Sequence, residues 1–94
     1  QISPSTAFTR NLTLGLRGND VKELQRILAS DPLIYPEGFI TGYFGPLTRK
    51  AVIKFQEKYA SEILTPIKVT RGTGFVGPMT MRKLREIRQT TSAN

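Results

Sequence analysis

Apolar positions recur at helical spacing in three stretches of this chain, and each stretch opens on a glycine. After Gly18 the pattern is Val21, Leu24, Ile27 and Leu28. After Gly45 it is Leu47, Ala51, Val52, Phe55 and Tyr59. After Gly77 it is Leu84 and Ile87, with Met79 or Met81 filling gaps. Steps of three and four residues put these side chains on one helix face and leave the intervening charges, such as Lys22, Lys50 and Arg85, on the other. The pattern predicts helices over 19–29, 46–59 and 78–88. Pro46 and Pro78 suit a first helical position, where the missing N–H has no partner in any case. Asp20 falls in a first turn, where the helix dipole favours a carboxylate, and has capping-box spacing to Glu23. Thr48 and Thr80 lie three residues after their glycines and are expected to bond back to the helix ends. Pro32 stops the first helix.

The helix openings also repeat. Tyr43-Phe44-Gly45-Pro46-Leu47-Thr48 returns 32 residues later as Phe75-Val76-Gly77-Pro78-Met79-Thr80, and Leu16-Arg17-Gly18-Asn19-Asp20-Val21 is an earlier variant with Asn19 in the proline position. Three similar starts in so short a chain indicate a small helical domain built from repeats. The connections, 30–44 and 60–76, are long. Loops beyond about 12 residues in a compact domain tend to be functional or to carry short structure of their own. Phe39-Ile40-Thr41 and Lys68-Val69-Thr70 are candidate extended pieces. The polar ends read as a linker or arm (1–11) and a fraying tail (89–94), which leaves a domain over 12–88.

With the motifs laid out in order, a family resemblance is legible. Gly15-x-x-Gly18-x-x-Val21-x-x-Leu24-Gln25 is followed by Gly42-x-Phe44-Gly45-x-x-Thr48-x-x-Ala51-Val52-x-x-Phe55-Gln56, and then by Gly74-x-Val76-Gly77-Pro78-x-Thr80-x-x-x-Leu84. This series resembles the peptidoglycan-binding domain family of bacterial cell-wall proteins, over nearly the whole chain from Leu12 to Ile87. The resemblance implies an all-α three-helix bundle with long connecting loops. It also implies a non-catalytic module that docks on the stem peptide and glycan of peptidoglycan and tethers an enzyme of the same parent chain. The expected place is the cell envelope or outside the cell, as part of a larger, secreted bacterial protein. The second connection is longer than the compact family pattern.

Composition narrows the chemistry. Ninety-four residues make one domain with a small core. The chain has neither cysteine nor histidine, which removes thiol chemistry, disulfides, imidazole bases and the usual zinc sites; no cofactor and no metal are expected. Catalysis is not expected either: Ser30 and Ser61 have no histidine base, and the acids are scattered rather than paired across a cleft. The formal net charge of +7 attracts polyanions. No apolar run approaches the ~20 residues of a membrane span. The start at Gln1 shows no signal peptide and suggests an excised piece.

The candidate ligand contacts are Arg17, Gln25, Tyr43, Thr48 and Arg49. Arg17 and Arg49 lie near the first two helix starts, and an arginine fork matches a stem-peptide carboxylate. Taken singly, each reads more readily as solvated surface charge. Tyr43, with Tyr35 and Phe39, offers an apolar floor for a sugar ring, or a small satellite core under the loop. Gln25 and Gln56 each follow a core residue, and their amides suit loop carbonyls better than a ligand. Two other functions compete with wall binding. One is docking on the parent enzyme through the long loops. The other is nucleic-acid binding through Arg82, Lys83, Arg85 and Arg88, which ranks last because a helix-turn-helix needs a turn of about 3–4 residues.

Overall fold

Three long helices form where the apolar stripes are. They are α1 (Asn19–Ala29), α2 (Pro46–Lys58) and, labelled in chain order, α4 (Pro78–Ser92). A computed structural model describes residues 10–92, so the expected arm lies outside the described residues over 1–9, as does the tail over 93–94. The three-helix expectation is incomplete. The long second connection folds a short fourth helix, α3 (Ala60–Ile63), and a 3-10 turn (Thr65–Ile67) closed by Lys68 in the left-handed conformation. Ile63 and Leu64 are the reason this segment is ordered: both are buried, and they anchor it in the core. Helix α4 runs on to Ser92, past the expected end at Arg88.

Helix α1 packs against α2 and α4, and α3 packs against both α2 and α4. One core holds Val21, Leu24 and Leu28 of α1, Val52 and Phe55 of α2, Ile63 and Leu64, and Met81 and Leu84 of α4. The described residues contain no strand. Neither proposed extended piece pairs; the backbone instead makes two isolated antiparallel bridges, Leu12 with Val76 and Arg17 with Tyr43. Through them the segment before α1 ties both later helix openings together. Phe44 is fully buried beside this seam, with its N–H donating to Leu16 O and its carbonyl accepting from Gly15 N–H, both at 2.8 Å.

The helix starts differ in detail from the expectation. Gly18 and Gly45 occupy the cap positions of α1 and α2, without a side-chain cap. Asp20 and Glu23 make no capping box: Asp20 binds the Val21 N–H and Arg10, while Glu23 pairs with Arg26 and Arg88. Leu47 is not core. The residue following Pro46 turns outward and is 41% exposed, while Thr48 takes the inward position.

Candidate functional site

The polar side chains that build the site sit inside the core. Gln25 lies on the inner face of α1 and is 1% exposed. Its carbonyl oxygen accepts from the Thr41 and Gly42 N–H groups at 2.8 and 2.9 Å. Its NH2 donates to Thr48 Oγ1 at 3.0 Å, Tyr43 O at 3.1 Å and Thr41 Oγ1 at 3.2 Å. One buried amide therefore satisfies the main chain of the loop that enters α2. Gln56 of α2 does the same one unit later. Its oxygen accepts from Thr73 and Gly74 N–H, and its NH2 donates to Phe75 O, Thr80 Oγ1 and Thr73 Oγ1. Among the described residues no buried side-chain nitrogen or oxygen lacks a partner, as burial demands.

These bonds account for the glutamines and threonines. The hydroxyls of Thr48 and Thr80 accept from Gln25 of α1 and Gln56 of α2 instead of capping their own helices as expected. Gln25 and Thr48, two of the candidate ligand contacts, are buried against each other with their polar atoms engaged. The repeat is also longer than its glycine-proline part. Thr41-Gly42-Tyr43 and Thr73-Gly74-Phe75 extend it by two residues, and those two residues present the N–H pair to the glutamine. Gly42 and Gly74 have φ of +83° and +80°, which a side chain resists.

The clasped loop leaves a groove of about 190 Å³ on its outer side, walled by Tyr35, Phe39, Tyr43, Pro46 and Leu47. Tyr35 belongs to both core and groove: it is buried, and its hydroxyl donates to Phe39 O at 2.7 Å, fixing the exposed Phe39. Tyr43 is 38% exposed, and the Arg17 guanidinium stacks on its ring, 4.5 Å from the centroid. A guanidinium stacked by one face keeps its N–H edge for a carboxylate. The structure thus brings Arg17 and Tyr43 together, as the bridge between their backbones requires. Arg49 lies elsewhere, across Gly74: a Cβ there would be 2.9 Å from Arg49 Cγ.

Arg10, which the sequence did not single out, holds Arg17 in place. Its Nη2 donates to Arg17 O at 2.7 Å, and its Nε to Asp20 Oδ2 at 2.8 Å. The hydrogen bond from Arg10 holds the Asp20 carboxyl below the usual carboxylate range, against partial burial that acts the other way. The stability this carboxylate adds is complete above the pH at which an unfolded aspartate titrates, about 3.9, and is lost as pH falls through the lower native value. Asp20→Asn is therefore expected to shallow the acid limb of stability against pH, measured as urea midpoints. The Asp31–Lys58 pair, which also lowers a carboxyl, remains in that variant. A limb of unchanged slope would show that the Arg10–Asp20 contact adds nothing.

The basic face of the last helix is partly neutralised. Lys83 pairs with Glu62 at 2.9 Å and Glu86 at 3.3 Å and caps the Tyr59 ring, and Arg88 meets Glu23. The hollow beside it, about 210 Å³, is lined by these same paired groups with Met79 and Arg82. No helix among the described residues is long and apolar enough to cross a membrane.

Residues 17–61 match the family described as "Putative peptidoglycan binding domain". No curated protein and no solved structure matches the chain. The matched segment carries α1, α2, Gln25, Arg17 and every residue that walls the groove.

Proposed function

We propose that this domain binds peptidoglycan through the groove at the start of α2 and so holds an attached cell-wall enzyme or envelope protein on the polymer. The family match over residues 17–61 suggests peptidoglycan binding and a cell-wall context. The observation that carries the proposal for the site is the stacking of Arg17 on Tyr43 at the edge of an apolar groove that falls wholly inside the matched segment. Tyr43, Phe39 and Leu47 cover the C–H face of a sugar or an alanine methyl, and Arg17 takes a stem-peptide carboxylate. Gln25 and Thr48 support the groove from beneath rather than touching ligand. Binding and anchoring need no chemistry of the module's own.

Co-sedimentation with purified sacculi across a salt series, with duplex DNA as competitor, tests this. Retention is expected to persist at high salt and to resist DNA, because an apolar groove is screened far less than surface charge. Tyr43→Ala and Arg17→Ala, both at exposed positions, should each weaken retention roughly ten-fold while melting within a few degrees of the parent. Folded variants that pellet like the parent would remove the groove from the binding site. Retention abolished by salt or DNA would leave the net charge as the whole explanation.

A further inference from the structure

The second glutamine clasp opens onto a second groove, and we infer that this is another peptidoglycan subsite, taking a second carboxylate-bearing, partly apolar segment of the same polymer. The inference rests on the reading of the first groove. The second groove encloses about 430 Å³ and is lined by Ile67, Phe75, Pro78 and Met79 above Gln56 and Thr80. Its rim repeats that of the first, with Phe75 where Tyr43 stands, Pro78 for Pro46, Met79 for Leu47 and Thr80 for Thr48, while Ile67 replaces the Tyr35 and Phe39 wall. The 3-10 turn supplies Ile67 as the outer wall. Ile67 and Phe75 are 51% and 44% exposed, an apolar surface that nothing among the described residues covers.

A cation again stands beside the loop, here against Gly74 rather than stacked on the ring, and this selects the occupant. Arg49 crosses Gly74 closely enough that a Cβ there would lie 3.1 Å from its Nε, which delivers the guanidinium to the loop beside Phe75. Its side chain makes no ion pair among the described residues. No carboxylate lines the groove. An apolar floor with a free arginine at its edge suits the same ligand chemistry as Tyr43 with Arg17: a carboxylate next to methyl groups or a sugar face. The wall polymer repeats that unit, so two like grooves on one rigid domain engage neighbouring units at high effective concentration. The family match ends at residue 61, before Ile67 and the Thr73–Thr80 rim.

The experiment is an amide-resolved NMR titration of the full chain with a soluble disaccharide-tetrapeptide, paired with sacculus co-sedimentation. Two sets of shifts are expected, one at Thr41, Tyr43 and Gly45, the other at Thr73, Phe75 and Gly77. Ile67→Glu, at a half-exposed position that folding tolerates, should erase the second set alone and weaken sacculus retention about ten-fold. Tyr43→Ala should erase the first set alone. If only the first set shifts, and Ile67→Glu pellets like the parent, the second groove is no subsite while the first reading stands. Shifts in the second set alone would keep this inference and overturn the first groove. No shift in either set would overturn both.

Discussion

Gln25→Ala is expected to cost the domain about 3 kcal/mol, a melting-temperature drop of roughly 12–24 °C for a domain of this size. The magnitude follows from what is left behind. Truncation strands the Thr41 and Gly42 N–H groups, the latter on a buried residue, while the Tyr43 carbonyl keeps the Gly45 N–H at 3.0 Å. Unpaired buried polar groups cost about 1–3 kcal/mol each, and the small cavity allows only partial rescue by water. Gln56→Ala should cost about as much, because it strands the Thr73 and Gly74 N–H groups of the second loop. Gln25→Glu separates the amide's two roles: a carboxylate still accepts from the two N–H groups but cannot donate to Tyr43 O or Thr48 Oγ1. It should destabilise most at neutral pH and recover partly in acid, when the protonated acid regains a donor. Urea denaturation of the three variants measures this. Losses under about 1 kcal/mol would mean that water replaces the amide without penalty and the clasp is dispensable.

Phe44→Ala should be the more damaging core change, at about 3–5 kcal/mol. The ring is fully buried where the segment before α1 meets the loop before α2, and its backbone pairs with Gly15 and Leu16 on both edges. A cavity here loosens Arg17 along with the core, because Leu16, whose carbonyl binds Phe44 N–H, precedes it. With a total stability of roughly 5–10 kcal/mol, the variant should lose about a third of it or more and melt well below the parent. Leu47→Ala, three residues on but facing solvent, is the control and should shift the melting temperature by little. Comparable effects of the two changes on thermal unfolding would contradict the assignment of Phe44 to the core and Leu47 to the groove.

The long helices were legible because their stripes are strong: Val21, Leu24 and Leu28, or Val52 and Phe55, fit only a helical period. The short helix α3 was not, since its Ile63-Leu64 pair is too brief to show any period and is flanked by Thr65 and Pro66. Exposure at Leu47 was hidden by its hydrophobicity; only the geometry of the turn after Pro46 sets its direction. Arg17 and Tyr43 are both candidate contacts in the sequence, but their stacking depends on a backbone bridge between residues 26 positions apart, which no local pattern announces. Arg49 shows the limit most clearly. It stands near the start of α2 in sequence, yet its long side chain crosses to Gly74, so its partner lies in the next loop. The clearest unused signal was the Thr-Gly pair ahead of each aromatic, 41–42 and 73–74, which marks where each glutamine reaches.

The two clasps also bear on how such a domain changes over evolutionary time. Each loop's main chain is satisfied from inside, by a buried amide, so the exposed positions 43, 47 and 75 carry little of the folding energy. Tyrosine and leucine at one rim, phenylalanine and methionine at the other, are already different solutions on the same frame. If the rims bind as proposed, substitution there changes ligand preference while the scaffold holds still.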